Sequence, residues 1–220
     1  MLRVFSVGDS KGVSRIVVIE YPNRRKIQGR QDMTISLEVR HIRLVTERTV
    51  DHFLQRLFLR DVFIRNLCIV SPFINTLEGA RFTLSDLSEK IRRECIPTYV
   101  VTHAPSEPYQ EEAVAILADN EWVEIRFNES LHAKVYISSA IPESESFALF
   151  GSGNLTSRSI AENIEVGMLI VAKGQGRSLV DELYYWANNR LRVLEESRIH
   201  QRIRPKRRML WVQRSRNGSA

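Results

Sequence analysis

The stretch LHAKVYISSAIPESESFALFGSGNLT, residues 131–156, holds two apolar segments separated by a polar turn. In its first part, residues 131–138, the pattern has a period of two, so we predict a strand in which His132, Lys134 and Tyr136 share one face. Side chains two apart on one face of a strand are roughly 7 Å from each other. An imidazole and an ammonium at that separation suit a single phosphate group.

The second apolar segment, residues 146–150, is predicted to be a strand that ends in Gly-Ser-Gly-Asn, with a short helix beginning near Thr156. Ser152 and Asn154 are again two apart and lie between or beside glycines. Glycines let backbone and short polar side chains approach an anion, and the first amides of a helix attract the same charge. An ordinary turn between a strand and a helix uses the same residue types, so both interpretations stay open.

Glu165 lies in NIEVGMLIV, residues 163–171, at the start of an otherwise apolar segment that we predict to be a strand. An acid there is either an exposed strand end or a partner for an imidazole nitrogen. In the second case the carboxylate fixes the tautomer of the histidine.

Outward from this stretch, strands and helices alternate, which implies βαβ units and a mixed, mostly parallel sheet flanked by helices. Two further strands, 15–20 and 33–37, are predicted to form an N-terminal hairpin. Thr46 is the expected N-cap of the first helix. The predicted helices are 46–60, 84–95, 109–118 and 178–194. The remaining predicted strands begin at residue 66 and end at Ser71-Pro72, begin at residue 96 and stop at His103 to Pro105, and span 122–127 and 163–172.

The composition is that of one globular domain with a hydrophobic core: 220 residues, 43% of them hydrophobic and 26% charged. Cys68 and Cys95 are too few for a disulfide framework or a zinc site, so we expect reduced, structural thiols. The opening residues lack the apolar run of a secretory signal, and no run is long enough to span a bilayer. We therefore expect a cytoplasmic protein.

The net charge of +6 is concentrated at the C-terminus, where residues 197–220 contain eight basic residues and no acidic ones. Dense positive charge attracts polyanions through counterion release, which predicts nucleic acid as a partner. A solvated, partly disordered end is the alternative. The candidate nucleic-acid-binding residues are Arg202, Arg204, Lys206, Arg207 and Arg208. We expect three regions: a hairpin extension (1–40), a catalytic domain (41–196) and a basic tail (197–220).

Together, His132, Lys134, Ser152, Asn154 and Glu165 resemble the signature of the phospholipase D-like superfamily. That signature runs H-x-K, then G-S-x-N, then an acid about eleven residues after the asparagine, and Glu165 follows Asn154 by eleven. The resemblance covers residues 131–167. It implies a phospholipase D-like layered α/β fold in which these five residues form the catalytic site.

The resemblance also implies a mechanism. Members with one motif per chain are similar to small bacterial endonucleases in which two copies build one active site across a two-fold axis. One His132 attacks phosphorus and forms a phosphohistidine, while the other protonates the leaving oxygen and then activates water. Lys134, Ser152 and Asn154 orient the phosphoryl oxygens, and Glu165 steadies the imidazolium. No metal and no cofactor is expected.

One position departs from the family pattern, because Ser139 stands where the motif usually has an aspartate. This leaves room for altered or lost activity. A decayed module that only binds nucleic acid or a protein partner is therefore one alternative to a DNA or RNA endonuclease. A phospholipid phosphodiesterase or phosphatidyl transferase is another, because the same catalytic residues serve both substrate classes. The sequence shows no amphipathic membrane-binding helix.

The other histidines, His41, His52, His103 and His200, have no motif partners. His103 is a minor candidate because it follows a predicted parallel strand, where open α/β sheets place ligands. Expected partners are nucleic acid, DNA above all, and a second copy of the chain, with no membrane. A larger complex with an ATPase or another defence or repair subunit is a further possibility by analogy.

Overall fold

The protein was analysed as a computed structural model, which describes residues 3–8, 14–19 and 41–204. The chain divides into two compact units, 1–38 and 39–220. In the first, β1 (Arg3–Gly8) pairs antiparallel with β2 (Ser14–Ile19). The predicted strand at 15–20 is therefore present and pairs with β1, while the other predicted strand of the hairpin, 33–37, lies outside the described residues.

The second unit contains the remaining strands and all the described helices. In chain order these are β3 (Ile42–Val45), α1 (Thr49–Phe58), β4 (Phe63–Val70), α2 (Leu84–Glu94), β5 (Thr98–Thr102), α3 (Pro108–Ala118), β6 (Val123–Phe127), β7 (Val135–Ile141), β8 (Phe147–Gly151), α4 (Ser157–Ala161), β9 (Gly167–Val171), α5 (Gly176–Tyr185) and β10 (Arg198–Gln201).

Eight strands form one mixed sheet in the order β10-β6-β5-β4-β7-β8-β9-β3. The expectation of a mixed sheet flanked by helices is confirmed, but the expectation that it is mostly parallel is wrong. Of the seven pairings between these described strands, only β4 with β5 and β5 with β6 are parallel. Crossover helices α2 and α3 connect the parallel strands, whereas a short turn joins β7 to β8 and makes that pair antiparallel.

Each face of the sheet carries its own hydrophobic core. Helices α1 to α4 pack on one face, where the fully buried rings of Phe53 and Tyr136 lie 5.2 Å apart. Helix α5 and the turns that follow it pack on the other face, where Val180 and Leu191 join strand residues such as Ile137. Burial of one such side chain contributes roughly 1.5–3 kcal/mol.

Two helix boundaries differ from prediction. Helix α1 begins at Thr49 and not near Thr46, because Arg48 before it takes a left-handed backbone conformation (φ 49°) that interrupts the helix. The predicted helix 178–194 is α5 only as far as Tyr185. It continues as a π-helical turn (Trp186–Arg190) containing two asparagines, which are poor helix formers, and then as a 3₁₀ turn (Leu191–Val193).

The region expected to be a basic tail from residue 197 begins as part of the fold. Strand β10 pairs antiparallel with β6 at one edge of the sheet. Before it, the buried Ser197 donates its hydroxyl hydrogen to the Leu191 carbonyl (2.7 Å) and accepts a hydrogen bond from the Asn128 amide (2.9 Å). These contacts fix the direction in which the chain leaves the domain.

A buried ion-pair network joins β6, the neighbour of this edge strand, to the turn after α5. Arg192 donates two hydrogen bonds to the Glu124 carboxylate (2.7 and 2.9 Å), and Arg126 donates a third (2.8 Å). Burial by itself raises the pKa of Glu124, but the hydrogen bonds and charges of the two arginines outweigh it and hold the pKa below its ordinary value.

Across the described ranges, we find no helix with the length and apolar character needed to cross a bilayer.

We predict that Glu124→Gln lowers the free energy of unfolding by roughly 3 kcal/mol at pH 7, because it leaves two partly buried guanidinium groups without their counter-charge. The pKa of Glu124 is lowered on folding. The carboxylate therefore stabilises the protein above the ordinary pKa of 4.5, and this contribution disappears as the pH falls through the lower folded-state pKa. Denaturant titrations from pH 7 to pH 3 should show the gap between wild type and variant closing.

The matched control is Glu89→Gln. Glu89 lies in an exposed pair with Arg92 at 3.5 Å, so its loss should change stability by no more than about 0.5 kcal/mol. An equal effect of the two substitutions would contradict the role assigned to Glu124.

Candidate active site

The H-x-K segment lies immediately before β7, not inside it. The predicted strand 131–138 is shifted, because regular pairing begins only at Val135. Residues 131–134 form a non-repetitive segment in which the His132 side chain is exposed and Lys134 is half-buried. The Lys134 ammonium donates a hydrogen bond to the His132 carbonyl (2.9 Å), so the two residues are in direct contact.

The Gly-Ser-Gly-Asn turn lies beside that segment because β7 and β8 are paired. Val135 is opposite Phe150, and the Gly151 amide continues the ladder by donating to the Lys134 carbonyl (3.2 Å). Ser152 then leaves β8 and pairs with Val166, whose carbonyl accepts from the Ser152 amide at 2.9 Å. The structure therefore brings Lys134 and Ser152 to the same end of adjacent strands.

Glu165, two residues before β9, reaches the same place but is buried, with only 5% of its surface exposed. The interpretation as an exposed strand end is therefore wrong. Its described hydrogen-bond partner is the Thr49 hydroxyl of α1, which donates to Oε2 at 2.5 Å. Among the described contacts Glu165 makes no hydrogen bond to an imidazole, so the prediction that it holds a histidine tautomer stays a prediction.

Gly153 packs directly against Glu165 and Thr49. A β-carbon at position 153 would lie 2.2 Å from Glu165 Oε2 and 2.2 Å from Thr49 Oγ1, far inside van der Waals contact. Only glycine therefore fits between the turn and the buried carboxylate.

A buried scaffold beneath the turn holds it in place. The fully buried Tyr136 hydroxyl donates to the Gly153 carbonyl (2.8 Å), and the Ser71 hydroxyl oxygen at the end of β4 accepts from the Leu155 amide (2.9 Å). Burial raises the pKa of Tyr136, so the phenol remains protonated and able to donate.

Asn154 has one polar atom without a partner. Its Oδ1 is buried, and no described residue donates a hydrogen bond to it. Buried acceptors are usually satisfied, and an unsatisfied one in a candidate site is available to a ligand or to a rearranged side chain. Asn154 therefore combines a fixed backbone position with free hydrogen-bonding capacity.

His103, at the end of β5, supports the H-x-K segment. Its Nε2 lies 2.8 Å from the Leu131 carbonyl oxygen, and because a carbonyl only accepts, Nε2 carries the proton. The Phe73 ring packs edge-on against the imidazole, with 5.1 Å between centroids. His103 thus fixes the residue directly before His132.

Sequence reasoning missed Thr49, Ser71 and Tyr136 as site residues. Tyr136 follows the period of the H-x-K strand, and Ser71 ends an apolar strand before a proline, which are weak signals. Thr49 has no signal, because 116 positions separate it from Glu165. Only the packing of α1 against the sheet brings the two together.

The two candidate nucleic-acid-binding residues that the structure describes, Arg202 and Arg204, are not at this end of the sheet. Because β10 is antiparallel to β6, Arg198 pairs with Phe127 at the site end, and the chain then runs away from it. Arg202 and Arg204 follow at the opposite end, where the Arg204 amide donates to the Glu121 carbonyl (2.8 Å). Lys206, Arg207 and Arg208 lie outside the described residues.

Ser139 is also distant in the fold, since it lies near the other end of β7. It lines a cavity of about 170 Å³ between the sheet and α5.

Within the described residues, we find no group of three or more histidine, cysteine or acidic side chains arranged to hold a metal ion.

No protein-family model and no curated protein matches the chain. Among solved structures it is similar to a phospholipase D family member, Nuc from Salmonella typhimurium, with a TM-score of 0.54 and 12% identity over 73% of this chain and 99% of Nuc. It is also similar to NucT from Helicobacter pylori, with a TM-score of 0.46 and 10% identity over 66% of this chain and 92% of NucT.

A third similar structure is TrmBL2, an archaeal chromatin protein, with a TM-score of 0.42 and 15% identity over 69% of this chain and 54% of TrmBL2. At these identities the similarity concerns only the arrangement of strands and helices. Of these three structures, only Nuc has a TM-score above 0.5, so only its similarity supports a shared fold.

We predict that Thr49→Val lowers the free energy of unfolding by about 2 kcal/mol, because it keeps the side-chain shape but removes a hydrogen-bond donor from the buried Glu165 carboxylate. Thr49→Ser keeps the hydroxyl and should lose less than about 1 kcal/mol, for the missing methyl group. Urea unfolding of both variants at pH 7 measures the difference. Equal losses would show that the hydroxyl does not stabilise the site.

Proposed function

This chain has the fold of the phospholipase D-like superfamily, and on that premise we propose that it is a metal-independent phosphodiesterase, most specifically an endonuclease, that works as a homodimer through a covalent phosphohistidine. One observation carries the proposal: β-ladder contacts bring Lys134, Ser152 and the buried Glu165 together beside an exposed His132. An exposed imidazole whose own backbone carbonyl binds an ammonium is suited to attack on a bound phosphodiester.

The first step forms a bond between a nitrogen of His132 and phosphorus, and the bond from phosphorus to the leaving oxygen breaks. His132 of the second copy, in its protonated form, gives the proton to that oxygen. In the second step the same imidazole takes a proton from water, hydroxide attacks phosphorus, and the bond from phosphorus to nitrogen breaks. The starting protonation states are then restored.

The neighbouring groups stabilise charge on the phosphoryl oxygens. The Lys134 ammonium supplies a positive charge, while the Ser152 hydroxyl and the Asn154 side-chain amide supply hydrogen bonds. Such groups are effective because they are fixed before the reaction, and the Tyr136 contact with the Gly153 carbonyl fixes the turn here. Glu165 sets a negative charge beneath the turn.

Nucleic acid is the proposed substrate because it combines a phosphodiester with dense negative charge, and eight basic residues lie between 197 and 220. DNA is the first choice. Arg202, Arg204, Lys206, Arg207 and Arg208 are proposed to add affinity away from the reacting phosphate, since the described part of this segment ends at the end of β6 opposite the site.

We predict that purified protein cleaves labelled DNA in the presence of EDTA and that His132→Ala lowers the rate by roughly 10³-fold or more, because a nucleophile is lost. The matched control is His41→Ala, at the start of β3, which should leave the rate unchanged. Single- and double-stranded DNA and RNA are assayed in parallel with a phospholipid vesicle. Binding without cleavage, or activity on the phospholipid alone, would contradict the nuclease proposal.

The proposal that two chains share one active site leads to a second prediction. Added to wild type in roughly tenfold excess, His132→Ala chains should capture most wild-type chains in mixed dimers that contain one nucleophilic histidine, and activity should fall about tenfold. The measurement is the cleavage rate after subunit exchange, with an equal excess of His41→Ala as the control. Undiminished activity would show that each chain acts alone.

A further inference from the structure

Aromatic side chains recur along the end of the sheet that carries the H-x-K segment. Phe73 follows the carboxyl end of β4, His103 follows that of β5, and Phe127 is the last residue of β6. His200 of the edge strand β10 stacks on the Phe127 ring, with 4.6 Å between centroids. We call these four residues the aromatic row.

The aromatic row crosses neighbouring strands. Strands β10, β6, β5, β4 and β7 are adjacent in this order, and the H-x-K segment directly precedes β7. The Phe73 and His103 rings are in contact, and Thr102, the residue before His103, is directly opposite Phe127. At about 4.8 Å per strand, the row and the H-x-K segment together span roughly 19 Å. One DNA strand covers this length with about five or six nucleotides, at about 3.4 Å per nucleotide.

The Phe73 ring is exposed although its backbone is firmly held. Of its surface, 44% is accessible to solvent. The Ser71 hydroxyl donates to the Phe73 carbonyl (2.7 Å). The Pro72 carbonyl accepts from the Thr102 hydroxyl (3.1 Å) and from the His103 amide (3.0 Å). A ring whose position is fixed in advance loses little conformational entropy when a flat ligand stacks on it.

We propose that the aromatic row binds the unpaired bases of a nucleic-acid strand whose phosphodiester lies at His132, and that the substrate is therefore single-stranded. The inference rests on the proposed function, to which it adds the form of nucleic acid that the site accepts. Every base has a π face, so stacking on aromatic side chains tolerates any sequence. In a duplex the base faces are covered by the neighbouring base pairs, which leaves the row nothing to stack on.

Charge near the row favours bases over phosphates as its contacts. Glu129 lies beside it, because its carboxylate accepts from the amide of Ala104, the residue after His103 (2.9 Å). This carboxylate repels a phosphate but not an uncharged base. The exposed Arg198, directly opposite Phe127, supplies a cation for the phosphodiester backbone at the far end of the row.

The experiment measures binding without cleavage. Full-length His132→Ala protein is titrated with a short fluorescein-labelled single-stranded DNA in EDTA, and Kd is read from the fluorescence anisotropy. Adding Phe73→Ala should raise this Kd roughly tenfold or more, because stacking on a base is lost, while the Kd for a duplex of the same sequence should stay within about twofold. Phe73→Trp keeps an aromatic ring and should bind as tightly as the parent.

The matched control is Phe63→Ala. Phe63 is 48% exposed and begins β4, so it lies on the same strand as Phe73 but at the end away from the site. Its loss should change neither Kd.

A second arm leaves the protein intact and changes the ligand. A strand of the same length with abasic sites should bind His132→Ala protein roughly tenfold or more weakly, and Phe73→Ala should add little to that loss, because both changes remove the same contact. Single-stranded RNA is titrated in parallel, and either nucleic acid supports the inference when its bases are required for binding.

Salt dependence separates stacking from charge. Phe73→Ala removes no phosphate contact, so it should leave the slope of log Kd against log salt concentration unchanged. Arg198→Gln should reduce that slope by about one. Equal affinity for the abasic and the normal strand, or a Phe73→Ala protein that binds single strands as its parent does, would overturn the inference.

The two proposals fail separately. If His132→Ala abolishes cleavage while Phe73→Ala leaves single-strand binding unchanged, the proposed function stands and the aromatic row is removed from it. If single strands bind through Phe73 but wild type cleaves none of the nucleic acids, the binding surface stands and the nuclease proposal is wrong.

Discussion

The candidate site depends on one close approach, that of the Gly153 backbone to the buried carboxylate of Glu165 and the hydroxyl of Thr49. Burial of a carboxylate is costly unless it is hydrogen-bonded. The hydrogen bond from Thr49 therefore helps to stabilise Glu165 in its buried position. The turn passes directly over this pair, so the path of its backbone is fixed. The backbone position of Asn154, the next residue, is therefore fixed as well, and only its side chain can rotate.

The hydrogen bonds around the turn come from separate parts of the chain. Tyr136 contributes from β7, Ser71 from β4 and Thr49 from α1. The helices on this face of the sheet therefore do more than bury apolar surface. Through Thr49, helix α1 helps to determine where a polar turn between two strands can lie, and hence where Ser152 and Asn154 are presented.

Much of the fold follows from the local sequence pattern. The parts that could not be predicted in this way have one physical reason in common. Apolar runs and helical spacing locate β4 to β6 and α1 to α3, since each of those elements buries one side or both. Pairing direction is not local, which is why the sheet was expected to be mostly parallel. Strand β10 was missed because an exposed edge strand with basic residues carries no apolar alternation to identify it.

The same distinction applies to the site. The five motif residues are recognisable because they fall within 34 positions of one another, from His132 to Glu165. Thr49, His103 and Ser71 act across the fold and have no spacing relation to that motif. A sequence pattern can identify the groups that address a ligand, whereas the groups that hold them in place require the packed structure.

The direction of β10 sets a minimum size for any ligand that engages both the candidate site and the described basic residues Arg202 and Arg204. These lie at opposite ends of β6, which has five residues, so roughly 17 Å separates them along the strand at about 3.3 Å per residue. A mononucleotide or a single lipid headgroup cannot bridge that gap, but a polynucleotide can. A ligand that contacts both places must therefore be long as well as anionic.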